Sequence, residues 1–336
     1  MSLKAAVIGV GAMGRNHARV YADLPGVTLV GVADVDAAQA QAIAERYNTH
    51  AFADYRRLLD KQQPDIVSIA TPTVDHLPMA LEVIARGIHL LIEKPIAYNV
   101  AEGEQIIAAA QAAQVTLAVG HIERFNPAVI ALKQQLAANM LGRVFQIDAR
   151  RQGPFPARVK DVGVVIDLAV HDLDVIRYVS GAEVVRIFAE TERQIHSEHE
   201  DLLTCLLRLS NGAVGTLAVN WLTPTKIREL LVTGEGGMFR VDYLTQDLYF
   251  YENALTSVTD WHLQLLRGVR EGRMIRHVVA KREPLLAELE TFVAAARGDG
   301  AVAVSGEDGL RALQLAQAVV QSGLEHRVVQ TFREAV

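Results

Sequence analysis

Over roughly the first 120 residues, short unbroken apolar runs alternate with longer stretches whose apolar positions recur three and four residues apart. An unbroken run suits a strand buried on both faces, and the three-and-four spacing suits a helix packed against it. Strands are therefore predicted at 3–8, 27–34, 50–52, 65–71, 89–95 and 115–121. Helices are predicted at 13–23, 36–47, 54–62, from Asp75 and His76 onward, and at 100–113. Beyond 121 the period changes. A helix starting at Pro127 and ending near 139 leads to a strand at 142–153, and a further helix is read over 161–174. From 183 the chain is mostly alternating strands, with Asn211-Gly212 marking a hairpin and Gly234 to Gly237 joining another pair. Two helices, at 284–297 and 305–323, close the chain.

The fold class that follows is α/β. A Rossmann-type doubly wound parallel sheet is followed by an α+β domain with an open, mainly antiparallel sheet. The expected division is 1–121 for dinucleotide binding and 122–336 for substrate binding and subunit contacts, with the last helix free to pack back on the first domain. A homodimer or homotetramer is the expected assembly.

Composition narrows the functional classes. Of 336 residues, 50% are hydrophobic and 21% charged, and the net charge is −6. That balance argues against nucleic acid or an anionic membrane as the main partner. The single cysteine, Cys205, excludes an internal disulfide and a cysteine-rich metal site. The N-terminus lacks the pattern of a signal peptide, and no apolar run reaches bilayer length, so a cytoplasmic protein is expected.

The first strand runs directly into Gly9-Val10-Gly11-Ala12-Met13-Gly14, and a helix follows. In that context the first two glycines permit a tight turn and close approach to a pyrophosphate, and the third permits close helix–strand packing. The second strand ends in Asp34, placed to bind ribose hydroxyls. The residues after it, Val35 to Ala38, include no Arg or Lys to offset repulsion of a 2′-phosphate, so NAD is favoured over NADP. Thr71, Pro72 and His76 fall in a later strand-to-helix loop, and Glu93-Lys94-Pro95 ends another strand, which places Lys94 beside the expected nicotinamide.

Residues 161–174, DVGVVIDLAVHDLD, put Asp167 and His171 four residues apart on one helix face. The pair reads either as a buried ion pair pinning the helix or as a histidine base oriented by a carboxylate. Arg150, Arg151, Arg158 and Lys160 form a basic cluster just before it, either a phosphate site or a solvated strand edge. Arg124 and Asn126 follow the last strand of the first domain and could reach a substrate. Trp221 and Tyr243 could stack on a base but suit packing better. His196 and His199 read as members of a polar loop, and no metal site is expected.

The glycine motif extended to His17, the Glu93-Lys94-Pro95 triplet and the Asp167/His171 pair together resemble the glucose–fructose oxidoreductase and inositol dehydrogenase superfamily over essentially the whole chain. Within it, GHIERFNP at 120–127, RRQGPFPARVKDVGVVIDLAVHDLD at 150–174 and NWLTPTKIRELLVTGEGGMFRVDYLTQDLYFYEN at 220–253 are most similar to the UDP-N-acetylglucosamine 3-dehydrogenases. The resemblance implies NAD-dependent oxidation of the sugar C3 hydroxyl on the way to 3-amino sugars of lipid A biosynthesis, functionally coupled to an aminotransferase. It also implies that Lys94 contacts the reacting hydroxyl and the nicotinamide ribose, that Asp167 and His171 are the catalytic dyad, and that Asp34 binds the ribose. Gly9, Gly11, Ala12, Met13, Gly14, Thr71, Pro72, His76 and Glu93 would border the cofactor. Arg124, Asn126, Arg151, Arg158 and Lys160 would face the substrate.

Whether Lys94 or His171 takes the proton stays open at this level, as does a free sugar or inositol in place of the sugar nucleotide. A non-catalytic NAD-binding regulator would be expected to lack one of Lys94, Asp167 and His171, and all three are present.

Overall fold

A computed structural model describes residues 2–156, 162–196, 198–254 and 270–331. The apolar runs of the first third become β1 (Leu3–Ile8), β2 (Val27–Ala33), β3 (Ala51–Phe52), β4 (Ile66–Ile69), β5 (His89–Glu93) and β6 (Leu117–Gly120). All pair in parallel, in the order β3-β2-β1-β4-β5-β6. Between them run α1 (Gly14–Asp23), α2 (Ala37–Tyr47), α3 (Tyr55–Gln62), α4 (His76–Ile84) and α5 (Val100–Ala112).

Alternate side chains of one strand feed opposite cores. Leu90 and Ile92 join Ile69 and Val119 on the face that also buries Leu58, Val83 and Ile106, whereas Leu91 joins Ala118, Val7 and Tyr21 on the other. Side-chain caps fix the helix starts: Asp36 accepts from the backbone N–H of Ala38 and Gln39, Asp54 from Arg56 and Asn99 from Glu102. The strand order reverses between β1 and β4, and the crevice beyond their carboxyl ends is where such sheets bind ligands.

The second sheet is built from β7 (Val144–Pro154), β8 (Val184–Glu192), β9 (Leu202–Leu209), β10 (Val214–Asn220), β11 (Leu222–Gly234), β12 (Gly237–Asp242), β13 (Asp247–Ala254), β14 (Arg270–His277) and β15 (Val329–Gln330). Its order is β14-β13-β12-β11-β7-β10-β9-β8-β15, and among the described strands only β7 with β10 is parallel. Cross-strand neighbours Ala189, Cys205, Leu217, Ala149 and Leu230 are buried. The adjoining row on the opposite face, Phe188, Leu206, Thr216, Asp148, Leu231 and Arg240, is partly or fully exposed. Helices α6 (Pro127–Ala137) and α7 (Val170–Ser180) belong with this sheet, and one π-helical turn, Val165–Ala169, leads directly into α7.

Helices α8 (Pro284–Ala296) and α9 (Gly306–Glu325) complete the chain's helices among the described residues. Two compact units result: residues 1–125 with 282–314, and residues 126–281 with 315–336. The sequence division at 121 left the last helix free to pack back on the first domain; in the structure α8 and the first part of α9 count with the first unit. The apolar positions of α8 account for this, since Leu285, Leu289, Phe292 and Val293 share a core with Tyr21 and Leu91. No described helix is long and apolar enough to cross a membrane.

Candidate active site

The glycine loop after β1 is built on two steric necessities and one vacancy. Gly9 has φ +82°, and a Cβ there would lie 2.6 Å from the Ala70 carbonyl oxygen. A Cβ on Gly14 would lie 1.8 Å from the Gly9 carbonyl oxygen, so α1 could not pack against the loop. Gly11 is different, since a Cβ there would meet nothing within 4 Å. The chain itself does not require glycine at this position, but close approach of a phosphate group does.

Gly9 and Gly11 line a cavity with Asp34, Val35, Tyr55, Thr71, Pro72, Asp75 and Met79. Asp34 is held in place from three directions. It accepts hydrogen bonds from the backbone N–H of Val10 (2.8 Å) and Asp36 (2.9 Å) and from the Gln39 amide (3.1 Å). Val35, 93% exposed, adds an apolar side chain to the rim of the cavity. Together these residues fit an adenosine, with a carboxylate at its ribose and an open backbone at its phosphates. Tyr55 and Met79 escape a sequence reading because only the folded loop brings them to the cavity. Ala12 and Met13 are exposed on the loop, before α1.

At the end of β5 the Glu93 carboxylate is buried and terminates a chain of donors. With the Nε2 proton of His17 donated to Glu93 (2.9 Å), His17 Nδ1 accepts from the Ser68 hydroxyl (3.1 Å), and Ser68 accepts from Tyr21 (2.8 Å). Burial pushes the Tyr21 phenol far up, which keeps it a donor. For Glu93, burial opposes ionisation, but the His17 hydrogen bond and the charge of Lys94 outweigh it and hold the carboxyl below its usual range. Gly120 makes room, because a Cβ there would lie 3.0 Å from the Glu93 carboxyl carbon.

Glu93 also accepts the Lys94 backbone N–H (3.2 Å). The structure therefore places Glu93 beneath the Lys94 backbone. Lys94 itself is half-buried, and its peptide bond to Pro95 is cis. His76 is buried rather than lining the cavity, with ring nitrogens 3.0 Å from the Pro95 carbonyl oxygen and 3.1 Å from that of Thr71. It fastens the Thr71 loop to the Lys94 loop. Burial outweighs those carbonyls and lowers its pKa.

In the second unit, Asp167 lies in the π-helical turn and His171 in the first turn of α7. Asp167 is buried and His171 half-buried, against the fully buried Val164, Val165 and Ala169. The start of this stretch is capped from a distant loop. Val164 donates to the Glu200 carbonyl (2.8 Å) and Val165 to the Glu200 carboxylate (3.1 Å). Nothing local in the sequence signals Glu200. The loop that carries it is fixed by Asp201, whose carboxylate accepts from the backbone N–H of Gln194, Ile195 and His196. Burial of Asp201 opposes ionisation, but these bonds prevail and its pKa is lowered.

Several expected substrate contacts are already engaged within the fold. Arg151 is 4% exposed and grips the fully buried Asp172 through Nε (2.7 Å) and Nη2 (3.0 Å), with its guanidinium 5.1 Å from the Tyr243 ring centre. Arg124 pairs with Asp308 (3.0 Å). Asn126 caps α6 through the Ala128 N–H and donates to the Tyr243 carbonyl. Arg158 and Lys160 lie outside the described residues. Trp221 is buried edge-on to Phe155, with ring centres 5.6 Å apart. His196 accepts the backbone N–H groups of Glu198 and His199 at Nδ1. Among the described residues no group of three or more His, Cys, Asp or Glu could hold a metal.

Comparison with known proteins agrees with this layout. Residues 3–121 match a family described as oxidoreductase, NAD-binding Rossmann fold, and 129–240 match the GFO/IDH/MocA C-terminal domain. The chain is 33% identical over 314 residues to UDP-N-acetylglucosamine 3-dehydrogenase of Acidithiobacillus ferrooxidans, covering 94% of this chain and 95% of the relative. A solved structure of that enzyme superposes with a TM-score of 0.85 at 32% identity, covering 96% of this chain and 97% of the other. The myo-inositol 2-dehydrogenase of Thermotoga maritima is 26% identical over 339 residues, covering 97% and 98%. Matched over both domains and to a relative over nearly its whole length, the chain belongs to the GFO/IDH/MocA family of NAD-binding oxidoreductases.

Proposed function

We propose that this chain oxidises the C3 hydroxyl of UDP-N-acetylglucosamine to the ketone, with NAD as acceptor. The observation that carries this reading is the likeness to an enzyme of that activity over nearly the whole of both chains. Bound NAD supplies the hydride acceptor, and the protein must handle the hydroxyl proton and the developing negative charge. His171, with an imidazole suited to proton transfer near neutrality, is the proposed base, and Asp167 holds its orientation. Lys94 places positive charge at the reacting oxygen, and Glu93 fixes the backbone beneath it. Gly9, Gly11, Gly14 and Asp34 hold the cofactor. The 3-keto product is an electrophile ready for transamination, so an aminotransferase is the natural consumer. The row of half-buried Phe188 and Leu231 with exposed Leu206 suits a second copy of the chain, which sedimentation would reveal as a dimer or tetramer.

A dehydrogenase of inositol or a free sugar is the second reading, favoured by the full-length likeness to inositol dehydrogenases. A panel of UDP-sugars, free sugars and inositols, assayed for NADH with aminotransferase and glutamate present to draw off ketone, separates the two. Lys94→Met and His171→Ala should each lower turnover about 100-fold or more while NAD binding stays near normal. Unchanged turnover in the His171 variant would remove it from the mechanism and leave Asp167 in a structural pair.

A further inference from the structure

The least accounted-for group in the first unit is Glu288 of α8. It is 2% exposed, and among the described residues neither of its carboxyl oxygens has a hydrogen-bond partner. Its neighbours along the helix, Leu285, Leu289 and Phe292, lie in an apolar core with Tyr21, Leu91 and Ala118. An ionised carboxylate in such a place, without donors, is strongly disfavoured, and a buried acid meets that cost by keeping its proton.

A second anion is close by. Burial first, and then the charge of Glu93, push the Glu288 carboxyl well above its ordinary range, and the Glu288 charge also bears on Tyr21. The groups on the elements packed against α8 are Arg15, His17, Arg19, Tyr21 and Asp23 of α1, together with Glu123 and Arg124 after β6. Arg19 is drawn to Glu283 and Arg124 to Asp308. Glu93 is held low by His17 and Lys94, so the two carboxyls are driven apart: one anion and one acid.

We propose that Glu288 is a positioning residue for the Lys94 loop, its carboxyl group carrying a proton so that Glu93 remains the sole anion where the Tyr21–Ser68–His17 chain ends. Ionising Glu288 would set a second negative charge against Glu93. Glu93 would then relieve the repulsion by shifting away from the second charge, which loosens its hold on the Lys94 N–H. Alkaline loss of activity would follow without any titration at the reacting atoms. The inference rests on Lys94 acting in the reaction, but the protonation of Glu288 does not.

Infrared difference spectra of wild type against Glu288→Gln, at neutral pH and without substrate, should contain a carboxylic acid C=O stretch that disappears in alkali. Absence of the band overturns the proposal. In Glu93→Gln the wild-type band should titrate at least about one pH unit lower, because a neighbouring anion has gone; an unmoved midpoint overturns the coupling. That arm needs no Glu288 variant to fold. With UDP-N-acetylglucosamine as substrate, the alkaline fall of kcat/KM should move upward by about a unit or more in Glu288→Gln, and an unmoved fall overturns the positioning role. If no sugar nucleotide is oxidised, the substrate reading fails while the infrared arms still decide the state of Glu288.

Discussion

Arg151 and Asp172 form a two-point ion pair, Nε to Oδ2 at 2.7 Å and Nη2 to Oδ1 at 3.0 Å, with both side chains buried. The pair joins β7 to α7, the helix that carries His171. A guanidinium so engaged has its charge balanced inside the protein, so it serves the fold before it serves any phosphate.

Arg151→Met should therefore act on stability. Removing one member strands Asp172 in the interior, at a cost of about 3–5 kcal/mol. Chemical denaturation should show that loss, and the double variant Arg151→Met/Asp172→Leu should recover much of it. A variant of normal stability that binds UDP poorly would instead make Arg151 a phosphate ligand.

Asp34 ties the glycine loop through Val10 and also lines the cavity beside it. Asp34→Ala should weaken NAD binding by roughly 1.5–3 kcal/mol, the scale of hydrogen bonds to a charged group. Calorimetric titration measures this directly. Tighter binding of NADP than of NAD by the unmodified protein would contradict the assignment.

Glu200 should matter to turnover although it lies far along the chain from His171. Glu200→Ala removes the cap on Val165, worth about 0.5–2 kcal/mol, at the start of the helical stretch that bears Asp167 and His171. A several-fold fall in kcat with unchanged NAD affinity is expected, with Glu200→Gln, which keeps an acceptor oxygen, restoring most of it. Gly163→Ala should behave like Glu200→Ala, since a Cβ there would lie 2.0 Å from the Glu200 carboxylate. Equal kcat in all three variants would dissociate the cap from catalysis.

Stability should carry opposite pH signatures from the two buried carboxyls. Glu288 binds its proton more tightly folded than unfolded, so its contribution is whole below the ordinary carboxyl value of 4.5 and is lost as pH rises through the raised folded value. Glu93, held low, contributes above 4.5 and loses that contribution as pH falls through its folded value. The Tm of Glu288→Gln minus that of wild type should therefore grow as pH rises above 4.5 and level off once wild-type Glu288 ionises. A difference independent of pH would mean that Glu288 is not protonated in the fold.

Much of this was legible in the chain because the relevant signals are local. The unbroken apolar runs and the glycine loop fixed the parallel sheet, and Asp34 follows β2 directly. Other features depend on side chains or strands far apart in sequence. The strand β14, REGRMIRH, has little apolar alternation because it is an edge paired only with β13 among the described strands. Arg124, Asn126 and Arg151 look available in sequence, but Asp308, the start of α6 and Asp172 occupy them once folded. The π-helical turn under Asp167 has no composition of its own, and its cap comes from Glu200, beyond β8.

The substrate prediction follows from where cations remain for a pyrophosphate. Arg124 and Arg151 are engaged within the fold, Arg150 is exposed on β7, and Arg158 and Lys160, outside the described residues, complete the cations expected from the sequence. If the substrate is a sugar nucleotide, much of its affinity should come from the UDP end, and that binding energy positions the C3 hydroxyl for reaction. UDP alone should then compete with substrate, and free N-acetylglucosamine should be a very poor substrate. Arg158→Ala and Lys160→Ala should each weaken UDP by roughly 1.5–3 kcal/mol, about ten- to a hundredfold. Competition should also weaken as salt rises, because part of it is Coulombic. Product analysis should place the new carbonyl at C3. Efficient oxidation of inositol or a free sugar, with no inhibition by UDP, would move the protein to the second reading and leave the NAD-binding oxidoreductase in place.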